Sequence, residues 1–169
     1  MEKVILVNTL DEPIGEMEKM EAHFQGQLHR AFSVFIFNPK KELLLQKRAD
    51  GKYHSPSLWT NTCCSHPRPG ETTEDAAHRR LKYEMGFDCE LHFAFSFIYK
   101  KKLGNLIENE FDHLFTGVFK GNPKINLLEA SDWKFSSLED IGLSIKNNPE
   151  QFTYWFKLIF KRLVKYMKG

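Results

Sequence analysis

Cysteine is scarce in this chain and badly arranged for cross-linking. There are three, Cys63, Cys64 and Cys89, in 169 residues. An odd count with two neighbours is a poor disulfide framework. That argues against a small secreted scaffold and predicts a reducing, cytoplasmic location. Long apolar runs are missing too. No stretch approaches the roughly 20 residues that span a bilayer, and the apolar run at 4–7 is too short for a secretory leader. Net charge is nearly balanced, 24 Lys and Arg against 22 Asp and Glu, for +2. A balance this close gives no ground for a nucleic-acid or membrane partner, and nothing calls for an obligate protein partner. Repeats and low-complexity linkers are absent, so residues 1–169 read as one domain with room for a proper core. What the chain has in quantity is phenylalanine, 15 residues, which predicts a largely aromatic core or pocket.

Hydrophobic periodicity divides the chain into alternating elements. The run 4–7 is a short strand, 11–15 a turn, and 16–22 a polar helix. Residues 32–37, FSVFIF, form a near-continuous apolar strand that belongs at a sheet centre. A turn at 38–41 leads to its hairpin partner, 43–48, and a further strand runs over 58–62. The segment 72–85 reads as a helix, with Glu71 and Thr72 or Thr73 at its start and Gly86 at its stop. Strand 89–99 carries Leu91, Phe93, Phe95, Phe97 and Tyr99 in alternation, so one face is expected to hold them all. A charged loop, 100–105, joins it to a returning strand, 106–119. Short strands are expected at 124–128 and 133–136, and Ser137 caps a helix to about Lys146. From Pro149 a final amphipathic helix shows Phe152, Trp155, Phe156, Ile159, Phe160, Leu163, Val164 and Met167 at helical spacing.

Several polar residues sit where chemistry is possible. Cys64 and His66 lie two apart at a strand-to-loop corner, better placed for reaction than a buried inert thiol. A zinc knuckle with Cys63 is the simpler alternative, but no second cysteine pair stands at ligand spacing. His23 and His29 frame a short loop. Each alone is more often a core or surface histidine, and together they suit a divalent transition ion. Glu108 and Glu110 share a strand face, where like charges are tolerated around a metal or in water. Arg48 and Lys52 read first as a solvated strand end, second as a grip on an anion.

The stretch SHPRPGETTEDAAHRRLKYEMGF resembles the Nudix box, the loop-helix-loop that holds a metal-bound diphosphate. It keeps Glu71, Arg79, Leu81, Glu84, Gly86 and Phe87 of that pattern and has Ser65 for its first glycine. Arg80 and Tyr83 stand where hydrolases of the family carry carboxylates, so the scaffold is expected without the hydrolytic chemistry. The landmarks TNTCCSHP and ENE extend the likeness to most of the chain. In their order they look like type I isopentenyl-diphosphate delta-isomerases, Nudix-fold enzymes of isoprenoid biosynthesis.

The resemblance implies an α+β fold, an α/β/α sandwich with a mixed central sheet flanked by helices. It implies that His23, His29, His66, Glu108 and Glu110 hold a divalent metal, Mn2+, Mg2+ or Zn2+. Glu84 and the backbone carbonyl of Cys64 are implied to hold a Mg2+ that bridges the substrate diphosphate. Lys19, Arg48, Lys52 and Arg80 match the diphosphate-binding cations. Cys64 and Glu110 match the acid/base pair, Tyr99 a phenol assisting the glutamate, and Trp155 an aromatic over a carbocation. The implied partner is a small isoprenoid diphosphate. A nucleoside-diphosphate hydrolase, a non-enzymatic diphosphate or metal binder and a structural zinc protein are the rivals.

Overall fold

The computed structural model describes residues 1–169. Its centre is strand β3, His29–Phe37, buried except at Arg30. Around it lie β1 (Lys3–Val7), β2 (Pro13–Glu18), β4 (Leu43–Arg48), β5 (Trp59–Thr60), β6 (Cys63–Ser65), β7 (Leu91–Leu103), β8 (Leu106–Val118) and β9 (Ala130–Ser136). All nine belong to one sheet, with β3 paired to β1, β4, β6 and β8. The β3–β8 pairing is parallel, and the others are antiparallel, so the sheet is mixed as expected.

Helices cover both faces. Helix α2 (Thr73–Met85) packs Ala76, Ala77, Leu81 and Met85 on Phe32, Val34, Ile36 and Leu44. On the opposite face, α3 (Leu138–Asn147) and α4 (Tyr154–Lys168) bring Ile141, Phe156, Ile159, Phe160 and Leu163 against Phe35, Phe37, Leu43, Leu45 and Leu114. Alternation along β3 decides which core each residue joins, because side chains one step apart point to opposite faces. A short helix, α1 (Lys19–Gln25), leads into β3. No helix is long and apolar enough to cross a membrane.

Several boundaries differ from the periodicity. Residues 16–18, expected in a helix, finish strand β2, because they pair with β1 in the register Lys3↔Glu18. Glu18 then caps α1 with its side chain on Glu21 N. The turn closes earlier, over 8–12, with Asp11 left-handed at φ 63. Of the strand expected at 58–62 only Trp59–Thr60, β5, is formed, and a separate strand, β6, follows at Cys63–Ser65. Strand β7 is longer than expected and bulged between Phe93 and Phe95. That bulge breaks the single-face alternation: Leu91 joins the α2 core, and Phe97 and Tyr99 join the other. The lysines at 100–102 continue the strand instead of forming a loop, and the turn falls at Gly104-Asn105.

Residues 124–128 form no strand. Their amides bond to the end of α2, Lys124 N to Met85 O and Asn126 N to Glu84 O. That closeness is why Gly86 has no side chain: a Cβ there would lie 2.4 Å from Lys124 O, at a φ of +73. The final helix starts at Tyr154 with Thr153 as its cap. Phe152 is buried ahead of it, bridged to Trp59 after a 3-10 turn, Pro149–Gln151.

Candidate active site

The site is built by register. Parallel pairing sets His29 on β3 beside Glu110 on β8, and antiparallel pairing sets Tyr99 on β7 against the same Glu110. Strand β6 pairs Cys64 with Ser33 and then delivers His66. The two adjacent cysteines therefore part ways. Cys63 is fully buried in the α2 core, and Cys64 packs on the other core and faces the cleft.

The motif Thr60-Asn61-Thr62 sets this corner. Asn61 Nδ2 donates to Val34 O at 3.2 Å and to Cys63 O at 2.7 Å. Thr62 Oγ1 accepts from Ile36 N and donates to Leu44 O. Thr60 Oγ1 accepts from Trp155 Nε1 at 3.0 Å and from Thr153 Oγ1 at 3.1 Å. Side chains thus replace the missing ladder between β5 and β6, and they tie the start of α4 to the corner that carries Cys64.

Three imidazoles and one carboxylate converge. One ligand atom from each of His23, His29, His66 and Glu110 lies within 4.8 Å of the others. His66 Nε2 is 3.0 Å from Glu110 Oε1 and 3.2 Å from His29 Nε2. His29 Nδ1 lies 2.8 Å from Gln27 O, and His23 Nδ1 lies 3.3 Å from Ile107 O. These carbonyls leave Nε2 of both rings for a ligand. His23 Nε2 is buried with no partner at all. Burial, then the charge of His66, pushes His23 down to about 3, so its ring is neutral and ready to ligate. An orphaned buried nitrogen beside two facing imidazoles fits a divalent ion, and the nitrogen-oxygen donor set alone does not choose among Mn2+, Mg2+ and Zn2+. Glu108 stands one step outside this group. Its Oε2 is 3.8 Å from His23 Nδ1, and its Oε1 is 2.8 Å from His54 Nε2.

Glu110 also accepts from the Tyr99 hydroxyl, Oη to Oε2 at 2.7 Å. Burial alone would raise this carboxyl, but bonds to His29 and His66 and their charges hold it well below the usual range. Glu108 moves the other way, raised by burial and by Glu110's charge. Burial pushes the Cys64 thiol up to about 12, against a lowering pull from Arg48.

One cleft of about 130 Å³ is lined by Lys19, Arg48, Lys52, Cys64, His66, Tyr99, Arg80, Glu84, Glu108, Glu110 and Trp155. Of the residues expected at the site, only His23 and His29 lie behind its wall. Three of its four cations are held by carboxylates. Lys19 meets Glu2 at 2.8 Å, Lys52 meets Glu129 at 2.6 Å, and Arg80 meets Glu84 at 2.5 Å and Glu129 at 3.3 Å. Arg80 also lies 4.9 Å from the Tyr83 ring centre. Arg80 and Tyr83 thus pack on each other. Gln46 Nε2 bonds the other oxygen of Glu84 at 2.9 Å. Glu71, by contrast, stays outside the cleft and takes two bonds from Arg79, at 2.6 and 2.8 Å, bracing the loop before α2.

Sequence reasoning missed Glu2, Gln46, Tyr53, His54 and Glu129 in the cleft, and Asp112 beneath it. Asp112 had a signal, since it continues the 108-110 parity; it is buried and accepts from Ser33 Oγ at 2.8 Å. Gln46 lies on β4 within a run that reads as an ordinary strand, and Glu2, Tyr53, His54 and Glu129 reach the site from loops and the chain end, where no periodicity points.

A mixed sheet between helices, with a loop-helix-loop packed on one face, is the Nudix architecture. The NUDIX domain model matches residues 27–156, and the chain belongs to that family. Solved structures agree on the fold. A Deinococcus radiodurans protein superposes with a TM-score of 0.81 over 95% of this chain and 98% of its own, at 18% identity. A MutT protein from Methanosarcina mazei gives 0.70 over 84% and 96%, also at 18% identity. Curated relatives narrow the family. The chain is 54% identical to isopentenyl-diphosphate Delta-isomerase 2 of Photorhabdus laumondii, over 96% of this chain and 92% of that protein. It is 50% identical to isopentenyl-diphosphate Delta-isomerase 2 of Aromatoleum aromaticum, over 96% and 87%. Within the Nudix family, the chain is a member of the isopentenyl-diphosphate Delta-isomerases.

Proposed function

We propose that this enzyme interconverts isopentenyl diphosphate and dimethylallyl diphosphate in the cytoplasm, by protonation and deprotonation through a tertiary carbocation. One observation carries the reading. A thiol, Cys64, and a phenol-bonded carboxylate, Glu110, line a single cleft together with four cations and Trp155. An unactivated alkene needs a proton delivered at its terminal carbon and another removed at C2, hence two acid/base groups. Proton delivery falls to Glu110, assisted by Tyr99, and removal at C2 to Cys64.

Lys19, Arg48, Lys52 and Arg80 grip the diphosphate. The carboxylate partners of Lys19, Lys52 and Arg80 must yield, as phosphate oxygens replace them; Arg48 has no carboxylate partner and is bonded to the carbonyls of His54 and Ser55. His23, His29, His66 and Glu110 would hold a divalent ion, which would supply positive charge beside the Glu110 carboxylate, and Glu84 with the Cys64 carbonyl would hold a Mg2+, which would supply charge to neutralise the diphosphate. Trp155 already has a cation, Arg48, 5.1 Å from its ring centre, which shows its π face turned to positive charge. In the substrate-free cleft the acid/base charges stand opposite to the forward reaction, with Glu110 ionised and Cys64 a thiol.

Proton NMR of the metal-loaded protein with isopentenyl diphosphate in deuterated water tests the reading. Dimethylallyl diphosphate carrying deuterium, without free phosphate, is the expected product. Phosphate release would return the chain to the hydrolases. Cys64→Ser and Glu110→Gln should each lower turnover by about 10²–10⁴-fold with circular dichroism unchanged. A folded, active Cys64→Ser protein would overturn the role of Cys64.

A further inference from the structure

Two hollows meet at the loop between β4 and β5. One is the catalytic cleft, about 130 Å³. The other is a broad open groove of about 660 Å³, walled by Met20 and Phe24 of α1, Pro56, and Leu103 and Leu106 at the β7–β8 turn. Tyr53 and His54 are the only residues that line both. We infer that these two rings form the partition that limits the length of hydrocarbon the cleft accepts, and that the groove is where a longer prenyl chain would run if the partition were cut away. This inference rests on reading the cleft as an isoprenoid diphosphate site.

The partition is continuous with the aromatic wall. The Tyr53 and His54 ring centres lie 4.2 Å apart, and the His54 ring is 5.2 Å from Trp155. Tyr53 is 43% exposed, whereas the His54 side chain is only 11% exposed. The two imidazole nitrogens face Arg48, at 3.2 Å, and Glu108, at 2.8 Å. His54 therefore contributes a surface rather than a free base.

A wall sets a size limit only if it cannot swing aside, and the loop that carries this one is tied down at His54, Ser55 and Ser57. Arg48 Nη2 donates to His54 O at 3.0 Å, and Arg48 Nε donates to Ser55 O at 3.2 Å. Ser57 N donates to Arg48 O at 3.1 Å. Ser55 and Ser57 are held left-handed, at φ 47 and 61, a conformation that serine adopts only under such constraint. The groove beyond offers apolar surface from Met20 and Phe24 and from Leu103 and Leu106, as a hydrocarbon tail requires, with Ser55 and Asn105 among them. A chain one isoprene unit longer than the substrate must occupy space filled by these rings.

The test compares Tyr53→Ala, His54→Ala and the double variant with the unaltered, metal-loaded protein. Two ratios are read. The first is kcat/KM for an isopentenyl diphosphate homologue, lengthened at its C3 methyl by one isoprene unit, over that for isopentenyl diphosphate. The second is the Kd of geranyl diphosphate over that of dimethylallyl diphosphate, by calorimetry. Tyr53→Ala and the double variant should shift both ratios toward the longer chain by about tenfold or more. Adding Phe24→Ala to the double variant should then weaken geranyl diphosphate alone, because its tail would lie on Phe24.

Unchanged ratios in a Tyr53→Ala protein with an unaltered melting temperature would overturn the partition. Tyr53 makes none of the Arg48 bonds, so this variant decides the matter even if the double variant fails to fold. The functional reading fails separately, if the unaltered protein leaves isopentenyl diphosphate unchanged. The binding ratio still judges the partition in that case.

Discussion

At the scale of single residues, the site depends on polar side chains that are buried and paired. Asn61 shows why. It is fully buried, donates to two carbonyls and accepts from Thr60 at 2.9 Å. Replacing it by Ala strands all three partners at the corner that aims Cys64. Asn61→Ala should cost about 2–4 kcal/mol in urea unfolding and should depress turnover of the folded fraction. A loss under about 0.5 kcal/mol would mean that the corner does not rest on Asn61. Residue identities were readable here because chemistry restricts them: a thiol two positions from an imidazole, and carboxylates of one parity, are visible in any alignment-free reading. His54 was not readable, since a histidine in a polar loop has no pattern to set it apart.

At the scale of elements, α2 is held by its ends. Thr72 caps it, with its side chain accepting from Asp75 N at 3.1 Å. Gly86 ends it left-handed. Before the cap, Glu71 ties the loop to Arg79 and accepts from Arg68 N at 2.9 Å. The bond to Arg79 holds Glu71 below its ordinary 4.5. A carboxylate lowered on folding stabilises fully above its unfolded value, and the benefit disappears as pH falls through the folded value. The contribution is therefore constant above about pH 4.5 and fades below it. Glu71→Gln should remove about 1 kcal/mol at neutral pH, a figure kept small because the pair is partly exposed. It should also flatten the acid limb of the urea midpoint plotted against pH. An acid limb of unaltered slope would show that Glu71 is not the group responsible. Helices and caps were legible because they are local. The β7 bulge was not, because its extra residue answers to the partner strand β8 rather than to its own alternation.

At the scale of the whole molecule, the metal cluster joins α1, β3, the segment after β6, and β8. An ion bound there clamps together distant parts of the chain and stabilises the folded state by mass action. Saturating Mn2+, Mg2+ or Zn2+ should raise the melting temperature of chelator-stripped protein by about 5–10 °C for the best-fitting ion. His66→Ala should abolish that rise, and calorimetric scans with and without ion check it. A rise that survives in His66→Ala would place the ion elsewhere. The sequence by itself determined the reactive groups, the helix signals, the central strand and the family pattern, because each is written in neighbouring residues or fixed spacings. Only the tertiary structure decided that His29 sits beside Glu110, that Tyr99 meets the same carboxylate, that Cys63 and Cys64 serve opposite faces, and that Tyr53 and His54 divide cleft from groove. Those outcomes depend on strand register and loop path, which are settled by packing between segments far apart in the chain.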